Sequence, residues 1–224
     1  MTADRLAWAV RGQLGLGRVL PLGGPEDTVW VTESAAAAVL RSAAAEVPGV
    51  RLGALRIGSA GGPDDEVPGH GPLPDSAPSG ALPRGPLRVE AAFEATPEHP
   101  LPDSAGRLRA ALWAAATVDV GLEPEVIDLT VTGLLASGAS APPPEVADVP
   151  AGAPSATPAA RAAAAVPGVA ALTSRLGGRR HPSQVQIAVG GGHRALDVGR
   201  AVATAVTAVT RDVTTVVVTD ITGG

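Results

Sequence analysis

The chain has no cysteine, which excludes disulfides, thiolate metal ligands and a sulfur nucleophile. Lysine is absent as well, and with it the Schiff-base amine and the phosphate-binding lysine of a Walker loop. Asparagine and tyrosine are missing and Phe93 is the only phenylalanine, a usage that points to a GC-rich genome, so the abundance of Ala and Gly carries little functional weight. With three Trp, one Phe and a formal net charge of −5, no basic groove with stacking platforms for nucleic acid is expected. Asp4, Arg5 and Arg11 interrupt the apolar residues of the N-terminus, so neither a signal peptide nor a direct membrane span is expected, and the protein reads as soluble and cytoplasmic.

What is present is a repeat. AAAEVPGV at 43–50 returns as AAAAVPGV at 162–169, and similar patterns follow each copy. Around the first copy, residues 34–46 carry apolar positions at three- and four-residue spacing with Ser34 as a possible cap, and Pro48 and Gly49 end that helix. Residues 51–57 suggest a short strand. Residues 87–94 suggest a clearer one, with Leu87, Val89, Ala91 and Phe93 alternating against Arg88, Glu90 and Glu94. Asp103 or Ser104 can cap a helix with a stripe of Leu108, Ala111, Leu112 and Ala115, and residues 125–132 supply a further strand.

The second copy repeats that order: a helix over 159–165, a weak strand near Leu172, and alternation of Val185, Ile187 and Val189. An amphipathic helix over 196–209 follows, then the Val/Thr-rich run 213–221, which suits a central strand. The expected architecture is α+β, two tandem helix-strand-strand-helix-strand modules, each a small sheet with helices packed on one face. The boundaries read as 1–135 for the N-terminal segment plus first module, 136–157 for a Pro-rich linker and 158–224 for the second module. A Gly/Pro-rich insertion at about 58–85 lacks the large apolar side chains needed to offset ordering entropy and is expected to be mobile.

Candidate sites are few. Gly190, Gly191, Gly192 and His193 follow a strand and precede a helix, where backbone N–H groups can hold an anion or small ligand, although neither dinucleotide nor Walker spacing is present. His193 and Asp197 are four apart, as are His99 and Asp103, but Pro100 and Pro102 argue against a regular helix in the latter pair, and no metal site is expected. Asp119, Glu123, Glu125 and Asp128 read as solvated helix-end and loop charges, and the turn formed by Arg179, Arg180 and His181 reads as a solvated loop. In the N-terminal stretch, Leu6, Trp8, Val10, Leu14, Leu16 and Leu20 could dock on lipid or a partner. Packing on the first module is favoured, because Gly12, Gly15 and Gly17 weaken an autonomous helix. No catalytic motif appears, no cofactor is expected, and an enzyme is not the expected reading.

VPGV after an Ala-rich helix, the alternating strand, the Gly turn, RALDVGRAVATAV and VTTVVVTDI together resemble the alkaline-shock-protein family, also called envelope stress response proteins. The likeness covers about 159–221 well and about 34–134 more loosely. It departs from the family in its tandem layout and in Gly190 to Gly192, which replace the acidic or tyrosine-glycine turn. Tandem chains of this kind also carry the name of a nucleopolyhedrovirus fibrous-body protein, but no coiled-coil heptads support a fibrous role. The resemblance implies a small, non-enzymatic cytoplasmic scaffold held near the membrane by a protein partner, with homo-oligomer formation open.

Overall fold

A computed structural model describes residues 15–60, 73–136, 157–176 and 183–222. A hairpin comes first, β1 (Val19–Leu22) and β2 (Val29–Thr32), followed by α1 (Glu33–Ala45), β3 (Val50–Ser59), β4 (Leu87–Ala95), α2 (Leu101–Ala114) and β5 (Pro124–Leu134). Then come α3 (Pro158–Ala164), β6 (Val169–Leu172), β7 (Gln184–Val189), α4 (Ala195–Thr210) and β8 (Thr215–Ile221). The fold is α+β, with helices packed on two sheets.

The two halves share one pairing scheme. In the smaller sheet, ordered β3-β4-β5, β3 is antiparallel to β4 and β4 parallel to β5; in the larger sheet, β6 is antiparallel to β7 and β7 parallel to β8. The repeated octapeptides make the same turn. Gly49 and Gly168 both adopt left-handed φ, +72° and +90°, where a side chain would be strained. Each then offers its carbonyl to the residue that ends the second strand after it: Thr96 N, past β4, to Gly49 O and Gly190 N, past β7, to Gly168 O, both 2.8 Å. Thr32 and Thr157 cap α1 and α3 alike, accepting from Ala35 N at 3.3 Å and Ala160 N at 3.2 Å.

Several expectations need correction. The cap of α1 is Thr32, not Ser34, which lies inside the first turn. Neither Asp103 nor Ser104 caps α2. The helix begins at Leu101 with Pro102 in its first turn, where a missing N–H costs nothing, so prolines read as a barrier are its start signal. Residues 19–32, grouped with the first half, lie in the larger sheet, ordered β1-β2-β8-β7-β6, because β2 pairs in parallel with β8. Leu16 and Leu20 are buried there.

The line drawn at 136–157 does not separate two cores. One apolar cluster joins Ile57 and Phe93 of the smaller sheet to Leu40, Leu108 and Val202 of the helices and to Val31 and Val218 of the larger sheet. α1 contacts β3 of the smaller sheet and β8 and β2 of the larger one. The Glu33 carboxylate, at the start of α1, accepts from Arg18 N at 3.3 Å and Ile57 N at 3.1 Å, linking the N-terminal segment to β3.

The insertion is also corrected where it is described. From residue 73 onward it is a strap on the larger sheet: Val19 N donates to Gly80 O at 3.1 Å, Leu82 N to Val19 O at 2.8 Å, and Thr215 Oγ1 to Ser76 O at 3.0 Å. Ala77 and Ala81 pack on the second apolar cluster, formed by Leu16, Val19, Trp30, Leu176 and Val217. Backbone hydrogen bonds to the open edge of β1, which composition does not register, hold a segment with few large side chains. Residues 61–72 of the insertion lie outside the described residues.

Candidate functional site

Gly190 to His193 stand where the sequence places them, between β7 and α4. Gly192 has φ +76°, and Gly191, Gly192, His193 and Arg194 are exposed. The imidazole of His193 lies against the VPGV turn, so closely that a Cβ on Gly168 would sit 3.0 Å from its Cγ. Arg194 is the cap residue of α4 and supplies no side-chain acceptor, so the first N–H groups of the helix lack one from that position. Asp197 brings a carboxylate into that first turn, 3.5 Å from Arg194 Nη1. Such a turn can attract an anion through its N–H groups and Arg194, in competition with the chain's own acid. Among the described residues no three His, Asp or Glu side chains come together as a metal site.

A second cluster, which the sequence reading did not single out, lies at the tip of the β1–β2 hairpin. Arg200 on α4 forms a two-pronged ion pair with Asp27, Nε to Oδ1 and Nη2 to Oδ2, both 2.7 Å, while Gly24 N donates to Oδ2 at 2.8 Å. Arg84 of the strap donates to the carbonyls of Leu22 and Gly23 at 3.3 Å and to that of Asp27. Its guanidinium lies 5.1 Å from the centroid of the buried Trp30 ring. The hydrogen bond from Arg200 holds the Asp27 carboxyl below its ordinary value against the opposing effect of burial, helped by Gly24 N–H and the charges of Arg200 and Arg84. Burial pulls the Arg84 guanidinium below its ordinary value.

A depressed carboxyl contributes stability above its unfolded range and loses it as pH falls through the folded value. Asp27→Asn is therefore expected to unfold at lower urea concentration than the wild type near pH 7, and the gap should narrow near pH 3. A gap equal at both pH values in urea titrations would show that the ion pair does not set it.

The third cluster is a buried polar layer at the end of β8. Thr173 and Thr219 share a hydroxyl hydrogen bond of 2.7 Å, Thr32 Oγ1 donates to Thr219 O at 3.2 Å, and Arg175 pairs with Asp220. Gln186 pairs with both the N–H and the carbonyl of Leu176, at 2.9 and 3.1 Å. Burial pushes the Asp220 carboxyl up, against the opposing hydrogen bond from Thr219 and the charge and hydrogen bond of Arg175. This contribution has the opposite sign to that of Asp27: it is present in acid and is lost as pH rises through the folded value. Each polar side chain in this layer is engaged with a neighbour, and the arrangement joins β2, β7 and β8 to the segment 173–176 that follows β6.

Asp119, Glu123, Glu125 and Asp128 are exposed and do not converge; Asp128 lies 3.4 Å from Arg88. Arg179, Arg180, His181, Trp8 and the other residues before 15 lie outside the described residues. No described helix is long and apolar enough to cross a membrane. No family model, no curated protein and no solved structure matches the chain.

Proposed function

We propose that the chain is a non-catalytic interaction or scaffold protein of the cytoplasm, serving the cell envelope under stress and held near the membrane through a protein partner. The cellular setting rests on the likeness of VPGV, RALDVGRAVATAV and VTTVVVTDI to the alkaline shock proteins. The observation that carries the interaction role is the open edge of β5. This strand is eleven residues long, is paired on one side only among the described residues, and exposes Val131 at 42% and Leu134 at 67%. An exposed edge with apolar side chains is a template for another chain. Asp27, Arg200, Glu33, Arg175 and Asp220, by contrast, are engaged in joining elements of the fold. The full-length tagged chain should capture a specific protein from a membrane fraction; recovery of none counts against the reading.

The exposed, uncapped start of α4 favours a second reading, an anion-binding turn at Gly190, Gly191, Gly192 and His193. Inorganic phosphate should then raise the melting temperature, and Gly191→Leu, at an exposed position, should remove the effect without unfolding the chain. Equal melting curves with and without phosphate would dispose of it.

A further inference from the structure

The two sheets have four edges, and three of them are guarded. β1 is met by residues 80–82, β3 carries Arg51, Arg56, a bulge between Leu52 and Leu55 and the Glu33 carboxylate at Ile57 N, and β6 is only four residues long. On β5, among the described residues, the outer edge is met by Arg109 of α2, whose Nε donates to Ile127 O at 3.2 Å. Beyond it, residues 129–134 read Leu-Thr-Val-Thr-Gly-Leu, with no charge and no proline. Those two devices normally keep an edge from pairing. A bulge falls at Thr132, whose hydroxyl donates back to Phe93 O of β4 at 3.2 Å.

The larger sheet supplies the internal precedent. β8 is the last strand of its half and lies parallel to the middle strand, as β5 does, and its outer edge is taken by β2. The described chain has one such hairpin, and it is used there.

Resting on the reading of the chain as an interaction protein, we propose that the missing neighbour of β5 is β5 of a second copy, added antiparallel about a twofold axis to make one six-stranded sheet. Among the described residues no hydrogen bond reaches the outer edge of 128–134 beyond the Arg109 contact at Ile127, and the midpoint of that segment is Val131, which fixes the axis. Val131 then faces its own copy, Leu129 faces Gly133, and the two Asp128 carboxylates stand about 20 Å apart along the strands, so no like charges meet.

The test uses the full-length chain in sedimentation equilibrium. The wild type should move with concentration from the 22.1 kDa of one chain toward twice that mass. Val131→Lys and Val131→Asp should each remain at one chain, since each brings two like charges to within about 5 Å on the axis, and their equimolar mixture should recover the doubled mass. That recovery separates lost pairing from failure to fold, and Val131→Thr, which keeps a β-branched side chain, should pair as the wild type does. A wild type that stays at one chain, or charged variants that still pair alone, overturns the proposal. A single-chain wild type that nevertheless captures a membrane-fraction protein would defeat self-pairing and leave the scaffold reading standing. A doubled mass with no captured protein would do the reverse.

Discussion

Gly199→Ala is expected to lower the stability of the folded chain by about 2 kcal/mol, although alanine is the better helix former by about 1 kcal/mol. Gly199 sits inside α4 where the helix crosses β2, and a Cβ there would lie 2.3 Å from Val29 Cγ1 and 3.2 Å from Cγ2. Val29 is 1% exposed and, being β-branched, has little rotamer freedom with which to move away. The overlap must be relieved by lifting α4 from a sheet that also holds Val202 and Val206 in the core, and overpacking of this kind outweighs the propensity gain. Urea denaturation gives the loss, and a double-mutant cycle gives its cause. In the Val29→Ala background, the alanine at 199 should cost little or stabilise, because the space it needs has been vacated. A neutral or stabilising effect of Gly199→Ala in the native background would mean that α4 and β2 are not this close.

The largest loss is expected at Trp30. Its side chain is 1% exposed on the outer face of the larger sheet, among Leu16, Val19, Leu176 and Val217, beneath the Arg84 guanidinium. Trp30→Ala should cost about 3–5 kcal/mol, the range for emptying an aromatic site in a packed cluster. It should also release the strap. With the ring gone, Arg84 loses its platform and Ala77 and Ala81 lose part of the surface they cover, so trypsin should cut after Arg84 faster than in the wild type. Trp30→Phe should fall between the two on both readouts. Unchanged cleavage after Arg84 in Trp30→Ala, at a temperature where the variant remains folded, would show that the strap is held without this contact.

Much of the fold was legible because its signals are local. Alternation at Leu87 to Phe93 marks β4, the amphipathic spacing of Val198, Val202 and Val206 marks α4, and the Val/Thr run marks β8 as a strand with neighbours on both sides. The repeated VPGV also marks two turns of one geometry, since glycine at left-handed φ after a helix leaves few alternatives. The start of α2 was misread because two prolines signal a break in a helix interior and a beginning in its first turn, and residue identity alone does not say which applies. Composition also misjudged residues 73–85, because what holds them is backbone bonding to a strand edge distant in sequence. At the candidate sites, the Gly190 to His193 turn was visible as a glycine run between two periodic segments. Asp27 with Arg200, and Arg175 with Asp220, were not, since each pair joins residues far apart in the chain that carry no motif.

The sequence by itself determined the helix-strand-strand-helix-strand order that recurs in each half, though not the N-terminal hairpin, and the absence of thiol and lysine chemistry, all of which follow from residue identity and short-range periodicity. Only the tertiary structure decided that the N-terminal hairpin completes the second half's sheet, that one apolar cluster spans both halves, and that no described strand pairs with the outer edge of β5. Those outcomes depend on which apolar faces and strand edges meet once the chain closes, and hydrogen bonding and burial between distant residues leave no local periodic trace.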